Sequence, residues 1–285
     1  MYAIRVDGLR KKYDQFELGE ISFSIPEGSI VGFIGENGAG KTTTMKAILG
    51  LIHMDGGSVQ IFGKERDDRD CTWKEHVGVA LDTCRFPDNM TAQQVGKMMV
   101  QMYKTWDQDK YMHYLKRFSI PFDKRVKEYS RGMGMKLTLA VALSHDTRLL
   151  ILDEATSGLD PVIRNEILDL FLDFVQEENH TIFLSSHITS DVEKVADYIL
   201  VIHEGKLLLY ENKDTLLYDY GIIKCPKGYK EQLSHIDSIG MKENPHNLEI
   251  LVRNRNVSIP EGAVMDHVSL EDILLFLTRE GSGKR

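Results

Sequence analysis

The sequence predicts an α/β fold built on a mostly parallel sheet with helices covering its faces. Residues 29–34, SIVGFI, are apolar almost without interruption, as expected for a central strand covered on both sides. Two more apolar strands, at 149–152 and 181–186, are separated by a helical segment near 165–178. This strand–helix–strand order indicates parallel pairing, because parallel strands need a long crossover between them.

The N-terminal part adds shorter elements to this sheet. Strands are predicted at 3–6 and 21–25, a helix over 42–51 and a turn with a further strand within 53–63. These segments and the three strands above belong to one domain, predicted over residues 1–220.

A helical insert is predicted inside this domain, over about residues 85–145. Its first helix follows Thr91 and a second follows Trp106. The first helix carries apolar residues at helical spacing, at Val95, Met98, Met99, Met102 and Tyr103. We expect them to form the core of the insert rather than a binding surface.

Residues 221–285 have a different pattern and are predicted to form a small α+β domain. Segments such as NLEILVRN indicate strands, and SLEDILLFLTR indicates a last helix with Ser269 as its N-cap. Nothing in this region indicates a specific activity.

Composition limits the functions open to the chain. Its 285 residues include 35 basic and 43 acidic ones, a net charge of −8, which disfavours nucleic acid and anionic lipid as partners. The three cysteines are scattered without CxxC spacing, so we expect a reduced, cytosolic compartment. No apolar run approaches the roughly 18 residues that a spanning helix needs, so membrane attachment is expected to go through a protein partner.

A phosphate-binding motif follows the first central strand. The sequence from Gly35 to Thr42, GENGAGKT, matches GxxxxGK[ST] between an apolar strand and a helix. Glycines let backbone N–H groups turn toward phosphate oxygens, and the start of the helix adds positive dipole. Lys41 is expected to contact the β- and γ-phosphates and Thr42 to ligate Mg²⁺. The predicted nucleotide-binding residues are Gly35, Glu36, Asn37, Gly38, Ala39, Gly40, Lys41, Thr42 and Thr43.

Two adjacent acids, Asp153 and Glu154, end the apolar strand at 149–152. Because successive side chains of a strand point to opposite faces, the two can have different roles. Asp153 is predicted to hold Mg²⁺, and Glu154 to orient or deprotonate a water beside the γ-phosphate. Taken alone, the pair could also be an exposed acidic loop.

Over residues 2–220 the chain resembles the ATPase subunit of an ATP-binding cassette (ABC) transporter. Besides the two phosphate motifs, it has YSRGM at 129–133 at the position of the family's signature, SGLD at 157–160 at that of the D-loop, and SSH at 185–187 at that of the switch histidine. The YSRGM variant and the C-terminal extension look most like the bacterial branch that exports drugs, peptides or lipids. The resemblance implies a P-loop NTPase cassette with an antiparallel β subdomain.

The resemblance implies that two cassettes enclose two ATP molecules head to tail. Ser130 and Gly132 of one subunit then close the ATP of the other, and His187 contacts its γ-phosphate. Ser130 precedes a helical run, so it could also be a simple N-cap. Tyr13 lies where the family places an aromatic ring against adenine, or it packs on the first sheet. Asp160 bridges the subunits, or caps a helix.

Two departures from the family pattern stand out. Asp82 occupies the place of a glutamine that reaches Mg²⁺ and meets the membrane subunit; we expect it to keep the metal role with altered coupling. Arg131 and Met133 replace a glycine and a glutamine of the signature, and Arg131 is expected to face solvent or the partner.

The predicted function is therefore an ATPase with ATP and Mg²⁺ as ligands, acting at the inner face of the cell membrane. Its predicted partners are a second cassette and a separate permease, with a contact groove near residues 86–90. Two alternatives stay open, a soluble cassette protein of translation or DNA repair and a nucleotide-gated regulatory module. Co-purification with a membrane protein, with ribosomes or DNA, or with neither would distinguish these three.

Overall fold

The computed structural model describes residues 1–67, 69–81, 86–229, 233 and 236–280. The predicted metal ligand Asp82 lies outside the described residues. The strands are β1 (Tyr2–Lys12), β2 (Glu17–Pro26), β3 (Ile30–Ile34), β4 (Gly56–Ile61), β5 (Lys64–Glu65), β6 (Val77–Ala80), β7 (Leu149–Asp153), β8 (Thr181–Ser186), β9 (Tyr198–His203), β10 (Lys206–Asn212), β11 (Gly221–Cys225), β12 (Ser238–Glu243), β13 (Leu248–Val252) and β14 (Val264–Asp266). The helices are α1 (Lys41–Ile48), α2 (Ala92–Met102), α3 (Gln108–Arg117), α4 (Arg131–Ala142), α5 (Pro161–Phe174), α6 (Thr189–Val195), α7 (Lys213–Asp219) and α8 (Leu270–Glu280).

The central sheet has the strand order β10-β9-β3-β8-β7-β6. All neighbouring pairs from β9 to β6 are parallel, and only β10 runs antiparallel to β9. The prediction of an α/β fold with a mostly parallel sheet is confirmed. Ile34 pairs with Ser186 and Asp153 pairs with Ser185, so β3, β7 and β8 end at the same edge, where the predicted phosphate and metal residues lie.

A second, antiparallel sheet has the order β2-β1-β4-β5 and packs on the central sheet. Aromatic side chains fill the contact: the ring of Phe183 lies 5.3 Å from that of Phe33 and 5.8 Å from that of Phe23. All three residues are buried. This packing fixes β3, and with it the start of the phosphate loop.

The helical insert is formed by α2, α3 and α4. Tyr111 is fully buried and its hydroxyl donates to the carbonyl of Ala92 at 2.8 Å. Val95 and Met99 are buried as predicted, but the prediction for Met102 is wrong, because its side chain is 63% exposed. Helix α2 ends at Met102, and the extended Tyr103 packs in its place by stacking on His145 with ring centroids 4.0 Å apart.

Glu75 joins the insert to the start of β6. Its carboxylate accepts hydrogen bonds from the backbone N–H of Lys104, at 3.1 Å, and of Thr105, at 3.4 Å. Desolvation raises the pKa of Glu75, but these hydrogen bonds outweigh it and lower the pKa overall. His145, just beyond α4, donates through Nδ1 to the Glu75 carbonyl at 2.9 Å, and burial lowers the pKa of its ring. The insert, α4 and β6 thus meet at one polar contact.

The C-terminal region forms a third sheet of order β12-β13-β11-β14, followed by α8. Ser269 caps α8 as predicted, since its hydroxyl accepts from the N–H of Asp272 at 3.1 Å. The start of α8 packs on α6, and the N–H of Leu270 donates to Glu193 at 3.3 Å. Val268 and Phe276 also belong to the main buried cluster, so the division of the chain at residue 220 stays a prediction.

Within the described part of the chain, the helices are too short or too polar to span a lipid bilayer.

Gly32 on β3 allows α6 to pack closely against the central sheet. A Cβ at this position would overlap a methyl group of Val192 on α6. We expect Gly32→Ala to lower the free energy of unfolding by about 1–3 kcal/mol, as is usual for overpacking a core. Urea denaturation measures this loss. Gly228→Ala is the matched control, since nothing lies within 4 Å of its added Cβ. Equal unfolding midpoints for the two variants would contradict the close packing.

Candidate active site

The glycine-rich loop turns sharply between β3 and α1. Gly38 has a φ of 84° and Gly40, the N-cap of α1, a φ of 115°, a region that residues with a Cβ rarely adopt. A Cβ on Gly40 would also lie 3.0 Å from side-chain atoms of Phe16 and Leu18. The loop therefore needs glycine both for its backbone conformation and for its fit against β2.

Lys41 lies across this loop, with its side chain only 5% exposed. Its ammonium donates to the carbonyls of Gly35, at 2.6 Å, and Glu36, at 3.2 Å. The same Nζ lies 3.4 Å from Oε1 of Glu154. The buried cation is thus held at the mouth of the loop, as required for contact with a phosphate group.

A cavity of about 560 Å³ opens beside the loop, within the range of small-molecule sites. It is lined by the predicted residues Glu36, Asn37, Gly38, Gly40, Lys41, Thr42 and Thr43, together with Glu154. Gly35 and Ala39 are buried behind it. Gln15 and Phe16, which the sequence did not predict as site residues, also line the cavity.

Tyr13 does not line the cavity. Its side chain is 44% exposed, with Lys11 Nζ 5.3 Å from the ring, so its contact with adenine stays a prediction.

Thr42 and Asp153 bring two oxygen atoms together at the end of β7. The Thr42 hydroxyl donates to Oδ2 of Asp153 at 2.8 Å, and the Ser185 hydroxyl donates to Oδ1 at 2.5 Å. Hydroxyl and carboxylate oxygens are the ligands that Mg²⁺ prefers. The residues therefore fit a magnesium ion. Among the described residues no group of three or more His, Cys, Asp and Glu side chains could hold a metal, so substrate oxygens and water would have to complete its shell.

The sequence did not predict that Ser185 holds the carboxylate of Asp153. Its hydroxyl also accepts from the N–H of Glu154 at 3.1 Å. The parallel register of β7 and β8, which pairs Asp153 with Ser185, was the signal that could have found it.

The side chains of Asp153 and Glu154 point in different directions because the backbone turns at Glu154, and not because the two residues alternate along a strand. The strand ends at Asp153, and Glu154 has a φ of 54°. A non-glycine residue in this left-handed region is strained, and such strain clusters at functional sites. The turn directs the Glu154 carboxylate to His187, whose Nδ1 lies 2.6 Å from Oε2. Of the three predicted catalytic residues, Glu154 thus contacts both Lys41, through Oε1, and His187, through Oε2.

Ser130, Gly132 and Asp160 do not line this cavity. The Ser130 hydroxyl caps α4 by accepting from the N–H of Met133 at 3.3 Å. The Asp160 carboxylate caps α5 by accepting from the N–H of Val162, at 3.1 Å, and of Ile163, at 3.0 Å. Both capping interpretations are therefore correct. Contacts of these residues with a second subunit stay predictions.

Arg131 packs on its own chain. Its guanidinium lies 2.8 Å from the position of a Cβ built on Gly158, in the loop before α5. No acidic side chain of the described residues forms an ion pair with it, and a cation at the first position of a helix is disfavoured by the helix dipole. Arg131 is exposed, as expected for a residue that faces solvent or a partner, and its guanidinium also lies beside Gly158.

The chain matches the family model described as ABC transporter over residues 18–157. It is 36% identical to the bacitracin transport ATP-binding protein BcrA of Bacillus licheniformis over 209 residues, 72% of this chain and 68% of that protein. It is 35% identical to the lantibiotic transport ATP-binding protein SrtF of Streptococcus pyogenes over 214 residues, 74% of this chain and 91% of that protein. The structure of cbiO1 from Clostridium perfringens, part of the ABC transporter complex cbiONQ, aligns with a TM-score of 0.63 and 26% identity, covering 75% of this chain and 89% of that one.

The fold and the phosphate loop define a P-loop ATPase. The chain belongs to the ABC transporter family as an ATP-binding subunit, and it is an ATPase. The predicted family and fold are confirmed. The roles of the individual site residues stay predictions.

Arg131 offers a test of the loop at 157–160. We expect Arg131→Ala to lower the kcat of ATP hydrolysis about fivefold, because small displacements of active-site loops reduce turnover, and to leave the KM for ATP nearly unchanged. Steady-state phosphate release measures both constants. Lys127→Ala, which removes an exposed cation near α4, is the control. An unchanged kcat for Arg131→Ala would show that its contact with Gly158 has no catalytic role.

Proposed function

We propose that two cassettes bind Mg²⁺-ATP head to tail between them and that its hydrolysis drives a separate membrane-spanning subunit that exports its cargo. The observation that carries the proposal is the contact of Lys41, Glu154 and His187 at the mouth of the phosphate loop. Catalysis of phosphoryl transfer consists mostly of positioning and charge stabilisation, and these three side chains are arranged for it.

Each of the three residues has a role that follows from its contacts. Lys41 and the loop N–H groups hold the phosphates, since they provide a buried cation and donors at one place. Oε1 of Glu154 is buried and lies 3.4 Å from the Lys41 ammonium, but it accepts no hydrogen bond, so it has a lone pair left to accept a proton from a water. His187 donates to the other oxygen at 2.6 Å and orients the carboxylate. Glu154 is therefore the general base, and His187 positions it.

Thr42 and Asp153 would hold the magnesium ion through the two oxygens that lie 2.8 Å apart. When bound, Mg²⁺ neutralises charge that develops on the phosphate oxygens. Ser185 holds Asp153 from the other side, so the carboxylate is fixed in place.

The partners are inferred from the relatives. BcrA and SrtF are transport ATP-binding proteins by name, and the branch that the chain resembles exports drugs, peptides or lipids. The exposed side chains of Val100 and Met102 at the end of α2 are available for contact with a permease, in addition to the predicted groove at 86–90, which precedes the start of this helix. The chain would then act at the cytoplasmic face of the membrane. Its net charge of −8 disfavours nucleic acid as a partner.

Glu154→Gln separates ATP binding from hydrolysis. The amide keeps the size of the side chain but cannot accept the proton, so we expect kcat to fall by about 100-fold or more while ATP binding is retained. Size-exclusion chromatography with multi-angle scattering in Mg²⁺-ATP should then show a stable dimer, whereas the wild type dimerises only transiently. Glu178→Gln, at an exposed glutamate, should behave as wild type.

Two results would contradict this proposal in different ways. Wild-type turnover by Glu154→Gln would exclude Glu154 as the base. Monomers of both proteins with ATP bound would exclude self-association of this chain and would point to a different cassette, or to the permease, as a required partner.

Asp153→Asn tests the metal site. A neutral amide oxygen is a weaker Mg²⁺ ligand than a carboxylate, so we expect the Mg²⁺ concentration for half-maximal ATPase activity to rise about tenfold or more. Titration of phosphate release with Mg²⁺ at constant ATP measures this shift. Asp109→Asn, at an exposed aspartate of α3, is the control. An unchanged Mg²⁺ dependence of Asp153→Asn would show that Asp153 does not hold the metal.

A further inference from the structure

A second cavity lies at the end of the central sheet opposite the phosphate loop. It has a volume of about 220 Å³ and is lined by Tyr2, Tyr198, Tyr210 and Glu211, with Ser24, Pro26 and Asn212. Tyr198 begins β9 and pairs with Val31 near the start of β3, whereas the phosphate loop follows the other end of β3. The cavity is therefore separate from the ATP site.

The walls of this cavity are fixed by the fold. The hydroxyl of Tyr210 donates to the carbonyl of Ser24 at 2.6 Å, which ties β10 to β2. The ring of Tyr198 lies 6.0 Å from that of Tyr210 and is inclined to it by 51°, so the two rings form adjoining walls rather than a closed stack. Tyr2, at the start of β1, is half exposed and forms the outer side.

The charged side chain that lines the cavity is acidic. Glu211 accepts a hydrogen bond from the N–H of Asn212 at 3.0 Å, and no cationic side chain of the described residues forms an ion pair with it. No lysine, arginine or histidine lines the cavity within the described part of the chain. Lys213 directs its ammonium to the carbonyl of Glu193 at 3.0 Å. Burial raises the pKa of Tyr210 to about 12, so this phenol stays neutral and Glu211 supplies the negative charge.

These features select one kind of ligand. The faces of aromatic rings carry negative potential and attract cations, most effectively cations that lose their water easily. Affinity for a divalent metal ion depends on the number of charged oxygen ligands, and the cavity offers one carboxylate beside neutral hydroxyl and amide groups. A methylated ammonium ion is large, apolar and weakly hydrated, and it gains from both the rings and the carboxylate.

We propose that the cavity formed by Tyr2, Tyr198, Tyr210 and Glu211 binds a small quaternary ammonium ion. The inference does not depend on the proposed export function, since it uses none of the residues of the ATP site. It gives the chain a ligand site besides ATP.

Choline chloride and 3,3-dimethyl-1-butanol are the probes, because the two molecules have nearly the same shape and differ in charge. Saturation-transfer NMR or calorimetry with the full chain, at ionic strength held constant with NaCl, should show choline binding at millimolar concentrations and the neutral alcohol at least about tenfold more weakly. Lipid is absent from this experiment, so binding identifies the free ion as sufficient.

Substitutions localise the binding. Tyr198→Leu should weaken choline binding about tenfold, and Glu211→Gln about threefold, since it removes the carboxylate charge. Tyr198→Phe, which keeps the aromatic face, should bind as wild type. Tyr218→Leu, at a tyrosine that is 70% exposed elsewhere on the surface, is the matched control. Retained ATP binding shows that each variant is folded.

Three results would overturn the proposal. Equal binding of the alcohol and choline would mean that the cavity recognises apolar shape rather than charge. No saturable binding of choline up to about 100 mM, a Kd too weak for a built site, would mean that the cavity takes no such ion. Unchanged choline affinity in Tyr198→Leu that still binds ATP would place the binding elsewhere.

Discussion

The carboxylate of Asp153 is the contact on which the geometry of the site depends. It accepts from Thr42 at the start of α1 and from Ser185 at the end of β8, so it joins three segments that are far apart in the sequence. This is possible because β3, β7 and β8 are parallel neighbours whose carboxyl ends meet at one edge. The phosphate loop alone could bind an anion, but its position relative to Glu154, the predicted catalytic base, is set by this junction.

The charged residues of the site interact directly with one another. Lys41 lies 3.4 Å from Glu154, and Glu154 lies 2.6 Å from His187. A buried ammonium without partners would be costly, and the loop carbonyls and Glu154 provide them. The strained φ of Glu154, 54°, directs its carboxylate into this row. Lys41 and Glu154 are thus pre-positioned by each other, which limits the reorganisation needed for catalysis.

The sequence predicted those parts of the fold and site that depend on local chemistry. Loop glycines, the apolar strands and the N-caps at Ser130 and Ser269 each follow from a short pattern, and the structure has them. Such short patterns cannot predict contacts between segments that are far apart in the sequence. Ser185 reaches Asp153 through strand register, and Phe16 reaches the ATP cavity by packing on Gly40. Met102 was misplaced because spacing shows which face a residue lies on and not where the helix ends.

The packing of α8 on α6 gives the C-terminal region a role in the integrity of the enzyme. Helix α6 begins two residues after His187, and buried side chains of α8 belong to the same apolar cluster as those of α6. A chain cut near residue 220 would expose apolar side chains of this shared cluster, next to the segment that carries His187, the predicted catalytic histidine. Helix α8 also packs on β12, so it links the C-terminal sheet to the helix that follows His187.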